Sequence, residues 1–101
     1  MALSDMKSRK AVLDTIEEFN RLGADAFYAK YGFEPARKYW LEYEEKQYAS
    51  KAIVGVAHGY EFPSKGPLKS SEFGGGKATV KPKLEELGFT VIVLPRIIKN
   101  K

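Results

Sequence analysis

The sequence predicts an α+β fold, with about four helices packed on a small, mostly antiparallel sheet. Three observations carry this expectation. Val12, Leu13, Ile16, Phe19 and Leu22 recur at helical spacing and are followed by Gly23, the pattern of an amphipathic helix with a glycine stop. Lys38 to Glu44 instead alternates at a period of two, with Tyr39, Leu41 and Tyr43 on one side and Lys38, Trp40, Glu42 and Glu44 on the other, as a half-buried strand does. Phe89 to Leu94 is a near-continuous apolar run, β-branched at Val91, Ile92 and Val93, which reads as a central strand.

Taken in order, residues 1–7 read as a frayed start or a cloning remnant, and the first helix begins at about Asp5 or Ser8 and ends at Leu22. Asp25 is placed to cap a short second helix carrying Ala26, Phe27 and Tyr31, closed by Gly32, with Phe33 folding back on its end. Glu45-Lys46 is the expected turn after the first strand, and Gln47-Tyr48 the return strand. Ser50 then caps a mostly apolar helix through Ala52, Ile53, Val56 and Ala57, which Gly59 should end. Pro63, Gly66 and Pro67 mark a loop. Val80, Leu84 and Leu87 place a last helix over about 78–87, stopped by Gly88, with Pro82 either near its start or kinking it.

A chain of 101 residues is one domain, assigned to residues 8–95, with 96–101 a basic tail or the start of a linker. The absence of cysteine excludes disulfides and thiolate metal sites, and with a single histidine a zinc site would need carboxylates for most of its ligands, so no metal or cofactor is expected. No apolar run approaches a bilayer span and no secretory segment follows Met1, so the default is a cytoplasmic protein without a membrane partner. The formal charge of +4 and pI near 9.3 permit an anionic partner without demanding one. The charges are partly segregated: Lys65, Lys69, Lys77, Lys81 and Lys83 flank a glycine-rich segment, while Glu42, Glu44 and Glu45 gather at the hairpin.

Two stretches could hold phosphate. Lys51 sits at the start of the apolar helix, where the macrodipole is positive and a lysine is unfavourable unless an anion also comes there. With Ser50 beside it, this helix start is a candidate anion site, although on composition alone a solvated surface lysine is the plainer reading of Lys51. Gly74-Gly75-Gly76-Lys77 precedes another helix, and glycines let backbone N–H groups approach a phosphate closely. Its spacing is that of neither a P-loop nor a dinucleotide fingerprint, and taken alone it reads more readily as a connector. Tyr39, Trp40, Tyr43 and Tyr48 crowd the hairpin. Most of these rings should be core, but one left exposed beside a lysine can stack on an unstacked base, and strand parity puts Trp40 outside the core. His58 is a candidate polar contact, with a packed helix residue as the plainer reading. No nucleophile stands near it to form a triad, and adjacent Glu44 and Glu45 are ordinarily solvated.

The series Phe27, Tyr31-Gly32-Phe33, Pro35-Ala36-Arg37, Tyr48, Ser50-Lys51-Ala52-Ile53, Gly55, Ala57-His58-Gly59, Phe73, Gly75-Gly76 and Leu87-Gly88-Phe89 resembles the N-terminal head domain of ScoMcrA-like HNH endonucleases, modification-dependent (type IV) restriction enzymes of bacteria. The resemblance covers about residues 8–93 and is most specific in YxSKAIxGxAHG and in the Phe-x-Gly-Gly segment followed by Leu-Gly-Phe. Ala49 stands where the family pattern has an acidic residue, and Gly74 and Lys77 replace a serine and an acidic residue, changes that favour a phosphate. The HNH motif itself is absent from this sequence.

The resemblance implies a non-catalytic module of a restriction system that docks on duplex DNA, or also reads a modified base, methylated cytosine or adenine, while an HNH nuclease domain elsewhere cuts. In that reading Ser50, Lys51, Gly74, Gly75, Gly76 and Lys77 face phosphates, and Tyr39, Trp40, Tyr43, Tyr48 and His58 face a base. The alternative is a protein-interaction or dimerisation domain of the same endonuclease with no nucleic-acid contact.

Overall fold

In the computed structural model, residues 6–34, 39–69, 73 and 80–93 are described. The elements run α1 (Arg9–Leu22), α2 (Ala24–Tyr31), β1 (Tyr39–Tyr43), β2 (Lys46–Ala49), α3 (Ser50–Glu61), α4 (Val80–Glu86) and β3 (Thr90–Val93). The strands form one antiparallel sheet in the order β2-β1-β3. Four helices with a small antiparallel sheet make the α+β architecture that the periodicities predicted. Among the described residues, no helix is long and apolar enough to cross a membrane.

Helix starts and stops follow local chemistry. The Ser8 hydroxyl accepts the Ala11 N–H at 3.0 Å, which caps α1. Gly32 adopts the left-handed region (φ +74°), and the N–H groups of Gly32 and Phe33 both donate to the Tyr28 carbonyl. Gly88 (φ +93°) does the same for α4: its N–H reaches the Glu85 carbonyl, and the Phe89 N–H reaches that of Leu84. Pro82 is the third residue of α4. There an N–H would have no acceptor within the helix, so the ring is accommodated without a kink.

Several expectations need correction. Asp25 does not cap α2; Gly23 occupies that position and Asp25 lies inside the first turn, where its charge complements the macrodipole. Ser50 is the first residue of α3 rather than its cap; Ala49 precedes the helix, with no side-chain cap. Gly59 does not end α3, which continues to Glu61. The Glu61 carboxylate accepts the Lys7 and Ser8 N–H groups, Met6 is fully buried, and the Lys83 ammonium donates to the Met6 carbonyl at 2.9 Å. Residues 6 and 7 are therefore tied down rather than frayed.

The sheet turns its Leu41 side to the helices. Leu41, Tyr48 and Val91 are buried there, and Tyr39 and Tyr43 pack against the same core. β1, not β3, is central, because β1 pairs with both other strands while β3 lies at the edge of the sheet. The hairpin turn is one residue earlier than the sequence pattern placed it. Tyr43 pairs with Lys46, and Glu44 and Glu45 form the two-residue loop at φ +51° and +69°. Such a loop favours Asn-Gly, since a side chain in this region costs about 1–2 kcal/mol per residue. The double replacement Glu44→Asn, Glu45→Gly should raise stability by about 1 kcal/mol. An unchanged or lower urea midpoint would argue against a strained turn.

α3 lies against α1 and the sheet, and Ala52 through Ala57 are all buried. Its glycines serve close approach rather than termination. A Cβ at Gly55 would stand 2.5 Å from the end of the Phe33 ring and 3.1 Å from the Leu68 carbonyl; one at Gly59 would stand 2.7 Å from the Pro67 nitrogen. Spaced four apart, the two glycines leave a furrow along one helix face. The 63–68 loop settles into it, with the Leu68 N–H donating to the Gly55 carbonyl at 2.9 Å.

Candidate nucleic-acid interface

The open end of the hairpin, where β2 runs into α3, gathers several of the residues proposed from sequence. Trp40 pairs with Ala49, and the Ser50 hydroxyl crosses the junction to donate to the Tyr39 carbonyl at 2.9 Å. Lys51 follows on the first turn of α3, half-exposed, with its ammonium 5.2 Å from the centre of the Phe73 ring. Phe73 immediately precedes the glycine run, so this contact brings the flank of that segment against the α3 start. Gly74, Gly75, Gly76 and Lys77 lie outside the described residues. The lysine, an uncapped helix start and the half-exposed Tyr39 and Trp40 thus share one corner of the domain. The chemistry available there is a cation, helix N–H groups and aromatic surface, a combination suited to an anion with a ring attached.

Three of the predicted contact residues are enclosed. Ser50 is 1% exposed, and its hydroxyl is committed to Tyr39, so it positions the junction rather than meeting a phosphate. Tyr48 is 2% exposed, packs edge-on against Phe19 and shares its hydroxyl with the Asn20 amide. His58 is also 2% exposed. Its Nδ1 lies 2.8 Å from the Gly66 carbonyl, and because a carbonyl only accepts, that nitrogen carries the proton and ties the loop to α3. All three lie on core-facing positions, which the sequence pattern alone did not separate from surface positions. Tyr43 is half-buried with its ring against Phe89.

A polar centre went unread in the sequence. Glu18 is buried, and its carboxylate accepts the Lys30 ammonium at 2.7 Å, the Tyr31 hydroxyl at 2.7 Å and the Tyr60 hydroxyl at 2.7 Å, joining α1, α2 and α3. Burial pushes its pKa upward, but the hydrogen bonds from Lys30, Tyr60 and Tyr31 prevail and hold it below the ordinary carboxylate value. The Tyr60 hydroxyl is pushed well above the ordinary tyrosine value, first by burial and then by donation to Glu18. A signal was available: Glu18 falls on the α1 face of Ala11 and Thr15, both buried, where a carboxylate requires partners. Among the described residues, no cluster of three or more His, Cys, Asp or Glu side chains could hold a metal ion.

Comparison with known proteins identifies the domain family. No curated protein matches the chain. A solved structure described as "Structure of the Type IV phosphorothioation-dependent restriction endonuclease ScoMcrA" is similar over 89% of this chain, at 32% identity and a TM-score of 0.65. This chain spans only 13% of that protein. The family model for the ScoMcrA-like N-terminal head domain matches residues 5–93, most of the 101-residue chain. The chain therefore belongs to the family of ScoMcrA-like N-terminal head domains.

Proposed function

We propose that this domain is a non-catalytic module of a modification-dependent restriction system that docks on duplex DNA for a nuclease domain elsewhere. The observation that carries the reading is its membership in the head-domain family, together with similarity to a protein described as a phosphorothioation-dependent restriction endonuclease. The local support is Lys51 at the uncapped start of α3, beside Phe73 and the half-exposed Tyr39 and Trp40. In this reading Lys51, Lys77 and the N–H groups of Gly74 to Gly76 face phosphates, and Trp40 with Tyr39 supplies aromatic surface. Ser50, Tyr48 and His58 hold the scaffold behind them.

Each phosphate contact to duplex DNA adds roughly −0.9 to the slope of log K against log salt. The double variant Lys51→Ala, Lys77→Ala should therefore bind a duplex with a slope shallower by roughly two, and weaken all sequences alike. An unchanged slope in a folded variant removes these lysines from the interface. Comparison of methylated, phosphorothioated and plain duplexes then separates reading from docking, since equal affinities leave docking alone.

A second reading has its own support. Trp40 and Ile92 form a half-exposed cross-strand pair on the outer face of the sheet. Such a face fits a module that packs against another domain of the endonuclease. A gel shift at moderate salt distinguishes the two readings: a folded domain that leaves duplexes unshifted supports packing.

A further inference from the structure

An open cleft of about 240 Å³ lies beside the C-terminal half of α3, between the helix and the 63–67 loop. Tyr31, Tyr60, Pro63 and Pro67 line it, with Gly59 and Gly66 leaving its base without side chains. None of these residues figures in the interface described above. The volume is below the roughly 300–1,000 Å³ of drug-sized sites, which suits one flat ring rather than a whole cofactor.

Both tyrosines are fixed in advance. Their hydroxyls donate to the same Glu18 carboxylate, at 2.7 Å each, so neither ring is free to swing away. Tyr60 nevertheless remains 40% exposed. A tyrosine hydroxyl has one proton to donate, and here both are spent on Glu18. What the cleft presents to a ligand is therefore ring surface without phenolic donors. That disfavours a proline-rich peptide, whose carbonyls are held by such donors in aromatic grooves. It favours a planar ring held by stacking.

The loop that walls the cleft carries a cation. Lys65 lies between Pro63 and Gly66, exposed, with its ammonium 5.7 Å from the Phe62 ring centre. The Glu18 charge behind the two tyrosines is already matched by Lys30 through their 2.7 Å ion pair. A base with its phosphate has the complementary form, a flat ring joined to an anion.

We infer that the cleft between Tyr31, Tyr60 and the 63–67 loop takes a single unstacked nucleobase, with Lys65 of that loop beside its phosphate. The inference rests on the proposed DNA-docking function and moves the base-reading position from the hairpin to the cleft beside the C-terminal half of α3. Stacking on a fixed ring tolerates any base, so the site selects strands in which a base is already free, such as mismatched or single-stranded DNA.

The test compares the wild-type chain with Tyr60→Phe and Tyr60→Leu on a perfect duplex, a mismatched duplex and a single strand, with folding checked by circular dichroism. Tyr60→Phe keeps the ring but loses its bond to Glu18, so it should bind these substrates more weakly than wild type while still preferring mismatched and single-stranded DNA. Tyr60→Leu should lose roughly tenfold on those two substrates and leave the perfect duplex and its salt slope unchanged. A second measurement needs no variant: thymidine 5′-monophosphate titrated into the labelled wild-type domain should shift the Gly59 and Gly66 amide resonances most. Duplex binding with a silent Tyr60→Leu and unmoved glycine amides overturns the cleft assignment while leaving DNA docking intact. A proline-rich peptide that shifts those amides when the nucleotide does not overturns it in favour of a protein partner. Wild-type protein that ignores every oligonucleotide in dilute buffer overturns the docking reading and this inference together.

Discussion

Glu18→Gln should lower the unfolding free energy by about 2 kcal/mol, the range for leaving buried hydrogen-bonding groups without a partner, since Lys30 itself is half-exposed and water can take over its ammonium. The wild-type carboxylate accepts from three donors and has two oxygens to receive them. A glutamine keeps one oxygen and turns an NH2 toward groups that are themselves donors. Lys30 loses its counter-charge, and one tyrosine hydroxyl is left unpaired in a place water reaches poorly. Urea unfolding of the variant checks the size of the loss. A change under about 1 kcal/mol would mean that the network is looser than its geometry, since an ordinary neutral hydrogen bond is already worth that much.

The same centre sets a pH dependence. The folded-state pKa of Glu18 lies below its ordinary value of 4.5, so the folded state binds that proton less readily than the unfolded chain. Its contribution is complete above pH 4.5 and is lost as the pH falls through the folded-state value. Tyr31 and Tyr60 have raised values, by burial first and by donation to Glu18 second. Their contribution is complete below the ordinary tyrosine value of 10.0 and is lost as the pH rises through the folded-state values. Stability should therefore fall at both ends of the scale. Glu18→Gln should flatten the acid limb in particular, and an acid limb identical in the two proteins would assign it to other carboxylates.

Gly59→Ala carries the second large effect, and its sign opposes helix propensity. Alanine in a helix interior is favoured over glycine by about 1 kcal/mol. Here the new methyl would stand 2.7 Å from the Pro67 nitrogen and 2.9 Å from its Cδ, against a backbone that has no rotamer to change. The loop must move outward, which strains the bond between His58 Nδ1 and the Gly66 carbonyl and the one between the Leu68 N–H and Gly55. A net loss of about 1–3 kcal/mol is expected, the usual range for overpacking. A gain in thermal midpoint would show that the loop yields easily. Because Gly59 also lines the cleft beside Tyr60, the variant should narrow that space as well.

The candidate interface was only partly legible in the sequence. Lys51 could be placed on a helix start because the apolar spacing of Ala52, Ile53 and Val56 fixed where that helix lay. The burial of Tyr48 and His58 could not, since period alone says that residues share a face and not how deep the face lies. Tyr48 belongs to a four-residue return strand, too short for its alternation to identify an inward side. Gly59 followed the usual rule that glycine ends a helix, and it failed because a different chain segment needed the space above it.

By itself the sequence determined the local matters: which stretches are helical, where Gly23, Gly32 and Gly88 stop them, that a hairpin precedes the apolar helix, and the family. These follow from short-range geometry, side-chain spacing and backbone freedom, which neighbours in the chain decide among themselves. Only the tertiary structure decided that Glu18 is the shared acceptor of Lys30, Tyr31 and Tyr60, that β1 is the central strand, and that Gly55 and Gly59 make room for a loop. Each of these joins residues far apart in the chain, and their meeting depends on how whole elements pack, which no local pattern encodes.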